Sequence, residues 1–215
     1  MMLELYAHPF SSYCWKVLIP LYENDTSFTY RSLEEPGNPA EFARLWPIGK
    51  FPLLVDDGKP VMESSIIIEH LQRFHPGPVA FIPGGDAALE VRMLDRILDN
   101  HVMNQMTRVV VDAIRGPERH DSVEVAEAKA ALQKAYAWLD QWMSGREWAS
   151  GDFSLADCAA APSLFYADWV DPIPEALISL RAYRARLLAR PSVARAIDEA
   201  RPYRSYFPLG APERD

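Results

Sequence analysis

Near the N-terminus, Ser11-Ser12-Tyr13-Cys14 has the spacing of a Cys-x-x-Cys redox pair whose first sulfur has been replaced by a hydroxyl. A hydroxyl cannot close a disulfide, but it can donate a hydrogen bond to a thiolate brought in by another molecule. The pattern therefore points to chemistry on a bound thiol rather than on the protein's own sulfur. Cys14 itself reads either as a buried structural thiol or as the site of a mixed disulfide, and its exposure decides between them.

These residues need a strand to deliver them and a helix to hold them. Leu3 to Ala7 reads as that strand. Cys14, Val17, Leu18 and Leu21 recur at helical spacing, so Ser12 to Glu23 reads as the helix, with Pro20 expected to bend or end it. Phe28 to Leu33 reads as a second strand. Asn38-Pro39 begins a short helix, closed by Pro47 and Gly49. Phe51 to Val55 and Pro60 to Glu63 read as a hairpin turning at Asp57-Gly58. Ser64 or Ser65 then caps a helix with Ile67, Leu71 and Phe74 on one face. The order β-α-β-α-β-β-α suits a small mixed sheet covered by helices.

The chain changes character beyond residue 75. The stretch 76–86 holds three prolines and three glycines and reads as a linker. Beyond it everything reads helical: one long helix over 86–114, a second from Ala126 to Met143, and a third from Leu155 to Val170 that is apolar almost all round. Shorter helices follow at Leu177–Leu188 and Ser192–Glu199, and the tail after Pro202 reads as irregular. Ser154 and Asp157 have the spacing of a capping box and are assigned to folding.

The formal net charge is -8, which argues against a nucleic-acid partner. No apolar run reaches the length of a membrane span, and the first residues lack the pattern of a signal peptide, so a cytoplasmic protein is expected. The two cysteines, Cys14 and Cys158, are too few and too far apart for a disulfide scaffold. The five histidines have no metal-binding spacing with each other or with the cysteines, so no metal is expected.

Four strings, Ser11-Ser12-Tyr13-Cys14-Trp15-Lys16-Val17, Gly49-Lys50-Phe51-Pro52-Leu53, Glu63-Ser64-Ser65 and Ser154-Leu155-Ala156-Asp157, occur in order on either side of the linker. With them the chain resembles the cytosolic glutathione transferases, and among these the serine-type zeta, theta and delta classes. The resemblance implies a thioredoxin-like, glutathione-binding domain over 1–75, a linker over 76–86, and an all-helical domain over 87–215. It implies reduced glutathione as cosubstrate and Ser11 as the catalytic hydroxyl, a hydrogen-bond donor to the thiolate rather than a nucleophile. Ser12 is the alternative donor, and Tyr6 is the rival in classes that use tyrosine.

It further implies that Phe51-Pro52 is a cis turn offering a strand edge to the tripeptide. Glu63 and Ser64 would hold its γ-glutamyl end, and Lys50 is a candidate for its glycine carboxylate. An apolar electrophile would sit in a cleft lined by Met103, Met106, Tyr166 and Trp169. The expected function is a glutathione transferase of the detoxifying kind. Alternatives are a zeta-like glutathione-dependent isomerase and a non-enzymatic binding module. A homodimer is expected, with Asp99 or a neighbour reaching the partner's glutathione.

Overall fold

Along β1 (Leu3–Ala7), Leu3, Leu5 and Ala7 face one core and Tyr6 faces another. That alternation assigns each helix of the first domain to a side of the sheet. The first core takes in α1 (Ser12–Glu23) and α3 (Ser64–Phe74), together with Leu54 of β3 (Leu53–Asp56). The second is small: Tyr6, Leu53 and Val55 meet Phe42 of α2 (Asn38–Leu45). With β2 (Thr29–Ser32) and β4 (Lys59–Val61), the strands lie in the order β2-β1-β3-β4. β1 runs parallel to β2 and antiparallel to β3, so Tyr6 stands between Arg31 and Leu53. This computed structural model describes residues 2–215.

The expected order of elements is present, with local shifts that have physical causes. Gly37, at φ 92, takes the cap position of α2 instead of Asn38. The Asn38 amide turns back and donates to the Ser32 carbonyl at 2.9 Å. Pro20 sits within the last turn of α1 and does not stop it, since the helix runs on to Glu23. Neither Ser64 nor Ser65 caps α3. Glu63 holds that position at φ 67, with no side-chain bond to the helix end.

The long helix expected over 86–114 is a helical run from Ala87 to Arg115, but not a uniform one. Between α4 (Ala87–Ile97) and α5 (Asn104–Arg115), residues Leu98–Met103 form a wider π turn. Such turns gather at functional sites. This one packs against α7 (Leu155–Val170). All 16 residues of α7 are buried, in keeping with its apolar sequence. α6 (Ser122–Met143), α8 (Ile178–Ala189) and α9 (Pro191–Ala200) complete the bundle. The tail, expected to be irregular, includes a 3-10 helix over Arg201–Tyr206. Ser154 and Asp157 build the start of α7. The Asp157 carboxylate accepts from the Ser154 N–H at 2.9 Å, the Ala149 N–H at 2.9 Å and the Tyr183 hydroxyl at 2.6 Å. Among the described residues, no helix is long and apolar enough to cross a membrane.

Candidate functional site

The loop between β1 and α1 is held from three directions. The Ser11 N–H donates to the His8 carbonyl at 3.0 Å. The Trp15 indole N–H donates to the Pro9 carbonyl at 2.5 Å. From the helical domain, the Tyr166 hydroxyl donates to the Phe10 carbonyl at 2.9 Å. Ser11 is thereby fixed as the cap of α1, and its Oγ accepts from the Cys14 N–H at 3.4 Å. A hydroxyl whose lone pairs accept keeps its own hydrogen free to donate. Here that hydrogen is available at the positive end of a helix.

Two clefts meet beside this loop. The polar one, about 330 Å³, is bordered from the sheet domain by Tyr13, Lys50, Phe51, Pro52, Glu63 and Ser64. Arg96, Asp99, Asn100 and Asn104 close it from the helices. The apolar one, about 440 Å³, has Ser11 and Ser12 at its edge with Phe10, Met106, Val110 and Tyr166. Tyr206, Phe207 and Pro208 of the tail form its far side. Phe51 and Thr107 belong to both.

The polar cleft rests on buried charge. Lys16 is fully buried on α1, with its Nζ 2.5 Å from Asp95 and 2.8 Å from Asp99. Arg96 reaches the same two carboxylates at 2.7 and 2.5 Å. Ser65, inside the first turn of α3, accepts from Lys16 at 3.1 Å and donates to Asp95 at 2.8 Å. Burial pushes the Asp99 carboxyl above its usual range, with Lys16 pulling against it. Asp99 lines the polar cleft of its own chain.

This cleft fits a short peptide carrying a free amine and free carboxylates. The Phe51–Pro52 bond is cis, and the ladder of β3 starts only at Leu53, so the main chain of Phe51 borders the cleft outside the ladder. The uncapped start of α3 presents N–H groups suited to a carboxylate. Asp99 Oδ1 is buried without a hydrogen-bond partner, an acceptor that an ammonium group would satisfy. Lys50 lies at the cleft's edge.

Two expectations need correction. Met103 is fully buried in the π turn against α7 and does not reach the apolar cleft, whereas Met106, one turn on, does. Trp169 backs the wall instead of lining it. Its ring meets Phe207 edge-on at 5.2 Å, and Arg204 lies over it at 5.2 Å. Tyr6 lies on the α2 side of the sheet, and burial together with Glu41 pushes its hydroxyl up to about 12. It is buried and lines neither cleft, so it does not stand beside a thiol bound there. Cys14 is fully buried, and burial pushes its thiol up to about 12, so it is a structural thiol.

Sequence reasoning missed the contribution of the tail. Tyr206 donates to Glu34 Oε1 at 2.9 Å, and His8 Nε2 lies 3.2 Å from the same oxygen. This clasp brings Tyr206, Phe207 and Pro208 over the apolar cleft. Tyr203 and Tyr206 in the tail were the available signal.

The glutathione S-transferase N-terminal domain family model matches residues 5–79, and the C-terminal domain model matches residues 102–191. The chain belongs to the glutathione S-transferase family. Its fold agrees with that of a glutathione S-transferase from Methylobacillus flagellatus, solved with glutathione bound. That pair has a TM-score of 0.79 and 26% identity over 90% of this chain and 98% of the other. A glutathione S-transferase from Methylobacterium radiotolerans, in complex with glutathione sulfonate, gives 0.78 and 27% over 92% and 95%. By sequence, a probable maleylacetoacetate isomerase from Vibrio cholerae is 27% identical over 94% of this chain and 98% of its own length. A stringent starvation protein A homolog from Haemophilus influenzae is 26% identical over 93% and 92%.

Proposed function

We propose that this glutathione S-transferase binds reduced glutathione in the polar cleft and that Ser11 stabilises the thiolate for attack on an apolar electrophile in the adjoining cleft. The observation that carries this reading is the junction of the two clefts, with the Ser11 hydroxyl at the apolar edge and the peptide-shaped polar site across Phe51. Glu63 and Ser64 take the γ-glutamyl end, Phe51 and Pro52 the central residue, and Lys50 the glycine carboxylate. The Ser11 hydroxyl and the α1 dipole favour the sulfur anion. Lowering a free thiol from about 8.5 by about two units takes about 2.7 kcal/mol, within reach of a charge-assisted hydrogen bond plus a helix end.

Ultraviolet absorbance of bound thiolate against pH tests the assignment. Ser11→Ala should raise the bound thiol toward its free value and lower kcat/KM by roughly 10–100-fold, the worth of one hydrogen bond to a charged group. An unchanged thiol pKa in Ser11→Ala would overturn the role given to Ser11, and the same result in Ser12→Ala is expected.

A second reading, a glutathione-dependent isomerase, is favoured by the near full-length likeness to the V. cholerae protein. Return of glutathione in stoichiometric amount with a rearranged carbon skeleton would select it. A binding module without chemistry would give no heat and no thermal shift with millimolar glutathione. The transferase reading extends to a detoxifying role in the cytoplasm and to a homodimer. Ile66 on α3 and Leu89 and Met93 on α4 are exposed apolar side chains that a second copy would cover.

A further inference from the structure

β3 and α3 both start at the polar cleft and run away from it. β3 has 4 residues and α3 has 11. At about 3.3 Å per strand residue and 1.5 Å per helical residue, their other ends lie roughly 13 and 17 Å off. Those ends are joined. Asp56 is the last residue of β3, His70 lies in the second half of α3, and His75 follows its last turn. His75 leaves the helix with φ -133 and ψ 55, and its ring centroid lies 6.2 Å from that of His70. His70 Nε2 and His75 Nε2 each lie 2.8 Å from the same oxygen, Asp56 Oδ2.

We propose that Asp56, His70 and His75 form a binding site for one divalent transition metal, with zinc as the reference ion and water completing its shell. Their potential ligand atoms all lie within 4.8 Å of one another. In a tetrahedral zinc site with bonds of about 2.0–2.1 Å, neighbouring ligand atoms stand about 3.3 Å apart. To reach that arrangement each Nε2–Oδ2 separation of 2.8 Å would widen by about half an ångström, and the two imidazole nitrogens would settle at the same spacing. Two imidazoles and a carboxylate suit zinc and its neighbours rather than magnesium or calcium. The three side chains are 14%, 19% and 12% exposed, sheltered enough to hold an ion and open enough to admit one.

The role is a clamp. A metal here ties the far ends of the two elements whose near ends carry Pro52 and Ser64, without touching either cleft. The sequence expectation of no metal rested on spacing among histidines and cysteines, and it omitted an aspartate that the fold brings in.

The test uses the full chain, stripped with a chelator, dialysed and titrated with zinc chloride by calorimetry and by thermal melting. One zinc per chain and a raised melting midpoint are expected. His70→Gln/His75→Gln keeps amide donors for Asp56 but discards both imidazoles. It should weaken zinc by at least the roughly 10–100-fold that follows loss of a supporting group around a metal. His120→Ala, which removes the separate His120–Asp112 pair, should bind as the parent does. No saturable zinc in the parent, or undiminished zinc in the double variant, overturns the proposal. If the double variant fails to fold, X-ray absorption of the zinc-loaded parent decides. Two imidazole ligands are expected there, and fewer than two overturns it.

Discussion

In the polar cleft, Phe51, Pro52, Glu63 and Ser64 stand where a strand or a helix begins, and much of what they offer is main chain. In the apolar cleft, Met106, Val110 and Tyr206 stand on the surface of a helix and on the tail, and what they offer is side-chain shape. The first is bound to the architecture and rests on fully buried Lys16 and its two carboxylates. The second can be altered residue by residue without touching a strand. Under the proposed function, the contrast separates recognition of a constant peptide from accommodation of a variable partner.

The largest expected effect tests the foundation of the polar side. Lys16→Met strands Asp95 and Asp99 against Arg96 alone. Loss of one partner from a buried charge cluster costs about 3–5 kcal/mol. Denaturant melts should show that loss, with weaker glutathione binding. A near-neutral result would mean that the polar cleft does not depend on the buried cluster.

Next, two neighbouring methionines sharpen the boundary between wall and core. Met103→Ala should destabilise by about 2–5 kcal/mol and leave the KM for the apolar substrate unchanged. Met106→Ala should change that KM. The reverse pattern would return Met103 to the cleft.

Tyr166→Phe removes the bond to the Phe10 carbonyl, a net loss of about 0.5–1.5 kcal/mol. Because that bond holds the Ser11 loop, kcat should fall while glutathione affinity stays. Equal loss in both would show that the two clefts are not separable at this point.

The smallest effect concerns the tail. Hydrogen bonds from His8 and Tyr206 hold the Glu34 carboxyl below its usual range. A depressed folded pKa stabilises the clasp at pH above the unfolded carboxylate value, and that contribution is lost as pH falls through the folded one. Tryptophan fluorescence from Trp169, packed under Phe207, should change on acidification in that window. Glu34→Gln should abolish the change.

The same contrast explains what could be read from the chain alone. β1, α1 and α7 run between the residues expected because strong breakers or caps bound them, such as Pro9 before Ser11 and the Ser154–Asp157 pair. The polar cleft was legible because its residues sit at element starts, which carry local signatures. The π turn was not legible: Leu98–Met103 has the composition of any helix, and the contacts it makes with α7 exist only in the folded chain. Met103 and Met106 could not be told apart for that reason. Asp56, His70 and His75 were invisible as a group because a strand end, a helix face and a helix exit meet only in three dimensions.

Phe51 and Thr107 border both clefts. A peptide lying along Phe51 would therefore become part of the floor on which the second molecule rests. Catalysis should then follow a compulsory sequence, with the tripeptide entering first and leaving last as the conjugate. Acceptor affinity measured without the peptide would refer to a differently shaped chamber.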